Sequence, residues 1–233
     1  MASARTTAAL AALLLLSIAG TGAAAETDQA RQLYDFADRL RSETLYKTAI
    51  PQFEKLLKSY PQHEVIPDAL FRLADCHYQL KQYPQAILYY AELCAKYKEK
   101  PVYAASLQRL GQCKMLMGDL DGALQALSQV LALNPGKEIL LGTQYLLGKT
   151  HYLKQEFKQS YEILSRLAAD ASPENKYRGM GLIMAGDAAL RIDQPHEAIK
   201  CFLTFLQTPN APERDGDFFA VPKVIGGDED SAG

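Results

Sequence analysis

The side chains of this 233-residue chain best suited to chemistry are four histidines, four cysteines and the carboxylates. A metal site or a nucleophile with its base needs several such groups at helix-facing or loop-clustered spacing. His63, His77, His151 and His196 are scattered, and Cys76, Cys94, Cys113 and Cys201 form no C-x-x-C pair. No cysteine has a histidine at metal-ligand spacing. The acidic residues are spread over polar faces, with no carboxylate pair placed for acid–base work. G-x-S-x-G, H-E-x-x-H, a phosphate-binding Walker loop and the dinucleotide glycine fingerprint are all missing from the sequence. The expectation is a chain with no catalytic, cofactor-binding or metal-ligating residues, and not an enzyme.

Charge narrows the partners. The 25 Lys and Arg face 27 Asp and Glu, for a net −2. That near-balance supplies neither a basic stripe for nucleic acid nor a polybasic patch for a membrane surface. Hydrophobic residues at 48% and charged residues at 22% are ordinary for a folded domain.

Residues 1–25 read as a signal peptide rather than part of the fold. Arg5 precedes an apolar run from Ala8 to Ala19; Gly20, Thr21 and Gly22 break it, and Ala23-Ala24-Ala25 gives a small-residue cleavage pattern before Glu26. The run is about a dozen residues, whereas a membrane span needs roughly 20, so removal and export are favoured over an uncleaved anchor. The expected product is periplasmic or secreted, with no direct membrane insertion after cleavage. Its charge, without Arg5, is 24 bases against 27 acids.

What would position any functional residue is a repeat. Segments starting at Ala30, Pro67, Ala104, Leu141 and Gly179 superpose at offsets of 37, 37, 37 and 38 residues. The eighth place is always small: Ala37, Ala74, Gly111, Gly148, Gly186. So is the twentieth: Ala49, Ala86, Ala123, Ser160, Ala198. The twenty-fourth is large and apolar (Phe53, Tyr90, Leu127, Leu164, Phe202), as is the twenty-seventh (Leu56, Leu93, Val130, Leu167, Phe205). The seventh holds Phe36, Leu73, Leu110, Leu147 and Ala185. Small places let two helices approach, and large ones on the same stripe fill the space beside them. Asp119 is placed to cap a helix N-terminus, Pro84 and Pro195 fit the first turn of one, and Pro61 and Pro135 close second helices. Ten helices and no strand are expected.

These columns resemble the tetratricopeptide repeat (TPR), over about Asp28 to Pro209. The third unit matches best, through Leu107, Leu110, Gly111, Ala123, Leu127 and Pro135. The repeat's tryptophan is replaced by Leu33, Leu70, Leu107, Gln144 and Leu182. The long period in an exported chain is similar to bacterial periplasmic and outer-membrane-assembly proteins of this class. The resemblance implies an all-α, right-handed superhelical solenoid of five TPR-like units over 26–208, followed by a largely irregular tail at 209–233.

It also implies a concave groove lined by the second, fifth, ninth and twelfth places of each first helix. Those places give Tyr34, Asp38, Phe71, Asp75, Tyr78, Gln108, Gln112, Tyr145, Lys149 and Tyr152 as the candidate partner-binding residues. Rings interleaved with charges and amides suit an extended or helical peptide. Phe71 and Asp75 stand where chaperone-binding members carry a Lys and an Asn, so that carboxylate clamp is missing. The implied function is a protein-interaction scaffold or adaptor in the bacterial cell envelope. The alternative is an accessory structural subunit of an envelope or outer-membrane assembly complex that docks through its ends. In the tail, Phe218 to Ile225 is too apolar for a solvated linker and is expected to fold back, or to meet a partner, and so cover the last helix.

Overall fold

The computed structural model describes residues 27–208, all of them in helices or the turns between them. The expected signal peptide, its expected cleavage point and the segment Phe218 to Ile225 lie outside these residues. Ten helices occur among the described residues: α1 (27–42), α2 (Tyr46–Ser59), α3 (Ile66–Gln79), α4 (Tyr83–Lys96), α5 (Val102–Leu116), α6 (Leu120–Ala132), α7 (Lys137–Leu153), α8 (Phe157–Ala169), α9 (Arg178–Arg191) and α10 (Pro195–Leu206). No strand is found among them. Each helix packs mainly on its neighbours in sequence, and the odd-numbered α3, α5, α7 and α9 also touch in succession. The result is an all-α solenoid with the odd helices as one continuous layer.

The small-residue columns do what their size demands. Ala37 and Ala74 are fully buried, as are Ala49, Ala86, Ala123, Ser160 and Ala198 at the twentieth place. In the last three units the eighth-place glycine lies under the large twenty-fourth residue. A Cβ there would fall 2.7 Å from Leu127 Cγ, 2.4 Å from Leu164 Cγ or 2.5 Å from Phe202 Cε1. Phe53, Tyr90, Leu127 and Leu164 are fully buried, each stabilising by roughly 1.5–3 kcal/mol through area removed from water.

The core is shared between units rather than held within them. Phe53 and Leu56 of the first unit pack with Leu70 and Leu73 of the second, and Tyr90 of the second packs with Leu107 and Leu110 of the third. Leu127 meets Leu146 and Leu147; Leu164 and Leu167 meet Leu182 and Ala185. No unit could bury its stripe alone, which is the nearest-neighbour logic of a repeat array. One seventh-place residue departs from its column: Phe36 is half exposed, because no described element packs on that side of α1.

Every unit turns from its first helix to its second in the same way. The residue before the second helix donates its N–H to the carbonyl five back: Leu45 to Leu40, Gln82 to His77, Asp119 to Lys114, Glu156 to His151 and Gln194 to Ala189. This 6→1 bond closes a Schellman motif, whose preceding residue must be left-handed. That residue is Thr44, Lys81, Gly118, Gln155 or Asp193, with φ between 56° and 83°. Asp119 is the predicted cap, accepting the Gly122 N–H at 2.9 Å. Pro84 and Pro195 sit in the first turns of α4 and α10.

Candidate functional site

Two of the four histidines, His77 and His151, are absorbed by these turns. His77 Nδ1 lies 2.8 Å from Gln82 Oε1, and its ring stacks on Tyr89 at 5.5 Å. His151 Nδ1 lies 2.6 Å from Glu156 Oε2 at the same place two units on. Between them, Lys114 Nζ reaches Asp119 Oδ2 at 3.3 Å. Three successive units therefore tie the eleventh residue to the residue before the second helix. His63 accepts the Val65 N–H at 3.2 Å in the loop before α3. No cluster of three metal-ligating side chains occurs among the described residues.

The cysteines are four free, buried thiols. Burial pushes Cys76 and Cys113 up to about 12 and Cys94 up to about 11. They pack like small apolar residues in the spine, Cys76 and Cys113 both at the tenth place.

The odd-numbered layer carries a depression. Six of the ten candidate residues, Phe71, Tyr78, Gln108, Gln112, Tyr145 and Lys149, line this depression of about 570 Å³ on the second to fifth units. Tyr145 forms its floor rather than its rim: the ring is 4% exposed, stacks on Tyr177 at 5.2 Å, and its hydroxyl points to Met184 Sδ at 3.7 Å. Gln108 bridges α5 to α7, donating to Ile139 O at 2.8 Å and Thr143 Oγ1 at 3.0 Å. Gln112 donates to the Tyr78 hydroxyl at 2.8 Å. Burial lowers the Lys149 ammonium below its ordinary value.

The other four candidates stand outside this lining. Tyr34 meets Phe53 edge-on at 6.2 Å. Asp38 is held by Arg41 at 2.6 Å and Arg72 at 3.6 Å. Asp75 accepts the Tyr90 hydroxyl at 2.6 Å and pairs with Arg109 at 3.6 Å. Tyr152 donates to Asp187, which also pairs with Arg191. Three of these contacts cross from one unit to the next: Tyr152–Asp187, and the two in which a ninth-place Asp meets a sixth-place Arg of the following unit, Asp38–Arg72 and Asp75–Arg109. Much of the polar chemistry on this face thus braces adjacent units.

Several groove residues escaped the place rule. Arg109 lies over the Tyr78 ring at 5.1 Å. Lys176 sits over the Tyr177 ring at 5.5 Å and reaches Glu138 at 3.1 Å. Lys81 comes from the turn after α3 and Tyr83 from the start of α4, whereas Met180 of α9 stands at a second place, to which the rule does point. Gly142 makes room for Gln108 and Tyr177: a Cβ there would fall 2.9 Å from Gln108 Nε2 and 3.0 Å from the Tyr177 hydroxyl. Tyr177 and Lys176 belong to the loop before α9, where no helical periodicity could point to them. The charged lining comprises Lys81, Arg109, Lys149 and Lys176 against one acid, Glu138, in a chain that is slightly acidic as a whole.

Comparison with known proteins follows the geometry. Residues 34–104 match one family model described as tetratricopeptide repeat, and residues 105–136 match a second with the same description. No curated protein matches the sequence. Among solved structures, MamA 41-end from Desulfovibrio magneticus RS-1 is similar at TM-score 0.66 and 16% identity, covering 80% of this chain and 98% of that one. The putative kinesin light chain TPR-like repeats of Podosopora anserina are similar at 0.64 and 18%, covering 79% and 96%. YrrB, described as a TPR protein with an unusual peptide-binding site, is similar at 0.62 and 12%, covering 80% and 87%. At these identities the likeness concerns the fold, an all-α TPR-like solenoid.

Proposed function

We propose, for a chain whose residues 34–136 carry tetratricopeptide repeats, that the groove holds a segment of another protein and that the chain is a non-enzymatic scaffold or adaptor. TPR proteins in general mediate protein–protein interaction, and this groove has a particular chemistry to offer. Its floor is the Tyr145–Tyr177 stack with Met180 beside it, and its flanks carry Lys81, Arg109, Lys149 and Lys176. The single observation that carries the reading is that pairing of an aromatic floor with cationic flanks. An acidic segment, extended or helical, with an aromatic or aliphatic residue to bury fits both: the ring area supplies affinity and the charges set register and on-rate.

The test is binding of the full chain to an array of peptides, with titration calorimetry on those retained. Acidic peptides bearing an aromatic residue should bind best, more weakly as salt rises. The charge reversal Lys81→Glu/Lys149→Glu should weaken them by about tenfold or more. Preference for basic peptides, or indifference to the reversal, would sink the reading.

The cell-envelope setting rests on the pattern of residues 1–25 alone, with periplasmic or secreted product as the proposal. Intact mass of the protein recovered from its source cell checks it: a chain beginning at Glu26 is expected, and one beginning at Met1 refutes export. Docking through the ends, as an accessory structural subunit, is the second reading. The exposed Ile199 and Leu206 of α10 are the observation in its favour.

A further inference from the structure

The outer face of α10 is uncovered where the same face of every earlier second helix is covered. Phe53, Tyr90, Leu127 and Leu164 at the twenty-fourth place are fully buried, whereas Phe202 stays partly exposed. At the twenty-seventh place Leu56, Leu93 and Val130 are fully buried and Leu167 is 1% exposed, whereas Phe205 is partly exposed. Ile199 is 54% exposed, although its counterparts Ile50, Ile87, Leu124 and Tyr161 are all partly covered. The earlier units thus act as internal controls, and each gives the same answer about what belongs on this face. The cover is the first helix of the following unit, and above all its fourth place: Leu70 packs with Phe53 and Leu56, Leu107 with Tyr90, and Leu182 with Leu164 and Leu167.

The sequence beyond α10 continues that register. One more 37-residue step from Gly179 puts the next first place at Gly216 and the next fourth place at Phe219. Around it stand Phe218, Val221, Val224 and Ile225, an apolar cluster in a stretch otherwise rich in Gly, Pro and Asp. The span between α10 and Gly216 is comparable with the loop at 170–177 that joins α8 to α9. Pro222 at the seventh place forbids a full first helix, since it would remove an intrahelical hydrogen bond and clash one turn back.

We propose that Gly216 to Ile225 of the same chain docks on the outer face of α10, with Phe219 seated against Phe202 and Phe205, as a truncated sixth unit. Repeat arrays need a terminal element that is apolar inside and polar outside, and the acidic run Asp228-Glu229-Asp230 that follows supplies polarity next to the seat.

The experiment uses the full chain. Phe219→Asp should lower the melting temperature by about 5 °C and reduce hydrogen-exchange protection of α10 while leaving α3 unchanged. Phe36→Asp, at an exposed aromatic of α1, should do neither. Phe219→Ala and Phe205→Ala should be non-additive when combined, as residues in contact are. The proposal is overturned if Phe219→Asp matches the parent in melting and in α10 exchange, or if the two alanine effects simply add. It is equally overturned if sedimentation finds a dimer that Ile199→Asp dissociates and Phe219→Asp does not, for then a second copy covers the face.

Discussion

Gly148 of α7 lies so close beneath Leu164 of α8 that a Cβ on the glycine would fall 2.4 Å from the leucine Cγ and 2.5 Å from its Cδ2. Leu164 is fully buried and cannot swing aside. Two effects of Gly148→Ala oppose each other. Alanine gains about 1 kcal/mol of helix propensity, while an extra methyl in a packed core costs about 1–3 kcal/mol. With a Cβ this close the clash should win, leaving a net loss of up to about 2 kcal/mol. Gly181→Ala in α9 is the contrast, because its Cβ would meet Leu167 Cδ2 at an ordinary 3.4 Å. There the propensity gain should survive. Denaturant melts of the two variants should move in opposite directions, and a stabilised Gly148→Ala would overturn the packing argument.

The Asp119 cap should make α6 sensitive to acid. Its carboxylate accepts the Gly122 N–H and faces Lys114, and these, the backbone hydrogen bond first, hold its pKa below the ordinary 3.8. A depressed carboxylate contributes stability that is fully present above the unfolded value and is lost as pH falls through the folded one. Asp119→Ala should cost about 1 kcal/mol at pH 7, and Asp119→Asn much less, since the amide oxygen still caps. As pH falls below 3.8 the gap between parent and Asp119→Ala should narrow without closing, because the protonated carboxyl keeps a carbonyl oxygen that caps as the amide does. A gap that persists undiminished at pH 2 would assign the effect to something other than the charged cap.

The four cysteines should titrate as free thiols. With Cys76 and Cys113 pushed to about 12 and Cys94 to about 11 by burial, almost no thiolate exists at neutral pH, and the thiolate is the reactive form. Native protein should react slowly with a disulfide reagent at pH 8, and denatured protein should release four equivalents. Fewer than four would mean a bridge.

The repeat was legible because close helix approach leaves a size signature at fixed spacing: only Ala, Gly or Ser fits where Ala74 and Gly148 sit. The groove was half legible. Helical places located Phe71, Tyr78 and Lys149, but Tyr177 and Lys176 stand in an irregular loop whose course no periodicity encodes. The roles of Asp38 and Asp75 were also out of reach, because their partners Arg72 and Arg109 lie in the following unit and meet them only after stacking. The turns were least legible. Glycine marks the left-handed residue in the third unit alone, and the other four units place ordinary side chains there.

That last feature gives the sharpest prediction. Thr44, Lys81, Gly118, Gln155 and Asp193 occupy the same Schellman position, with φ of 61°, 58°, 83°, 63° and 56°. A Cβ in this region crowds the following carbonyl at about 1–2 kcal/mol per residue, glycine escapes it, and Asp or Asn partly does. The penalty is heaviest for a β-branched side chain. Glycine also loses more backbone entropy on folding, so each replacement gains only part of the relief. The expected order of stabilisation is Thr44→Gly first, Gln155→Gly next and Asp193→Gly last, with the first two at about 0.5–1 kcal/mol. Gly118→Ala should lose about 1 kcal/mol although nothing lies within 4 Å of the added methyl, so its cost would be backbone strain alone. Thr44 and Gln155 are exposed and stand outside the groove lining, so peptide binding should not change. Melting temperatures of the four variants decide the matter. If Asp193→Gly gains most, or Gly118→Ala is neutral, the left-handed turn is not what limits these units.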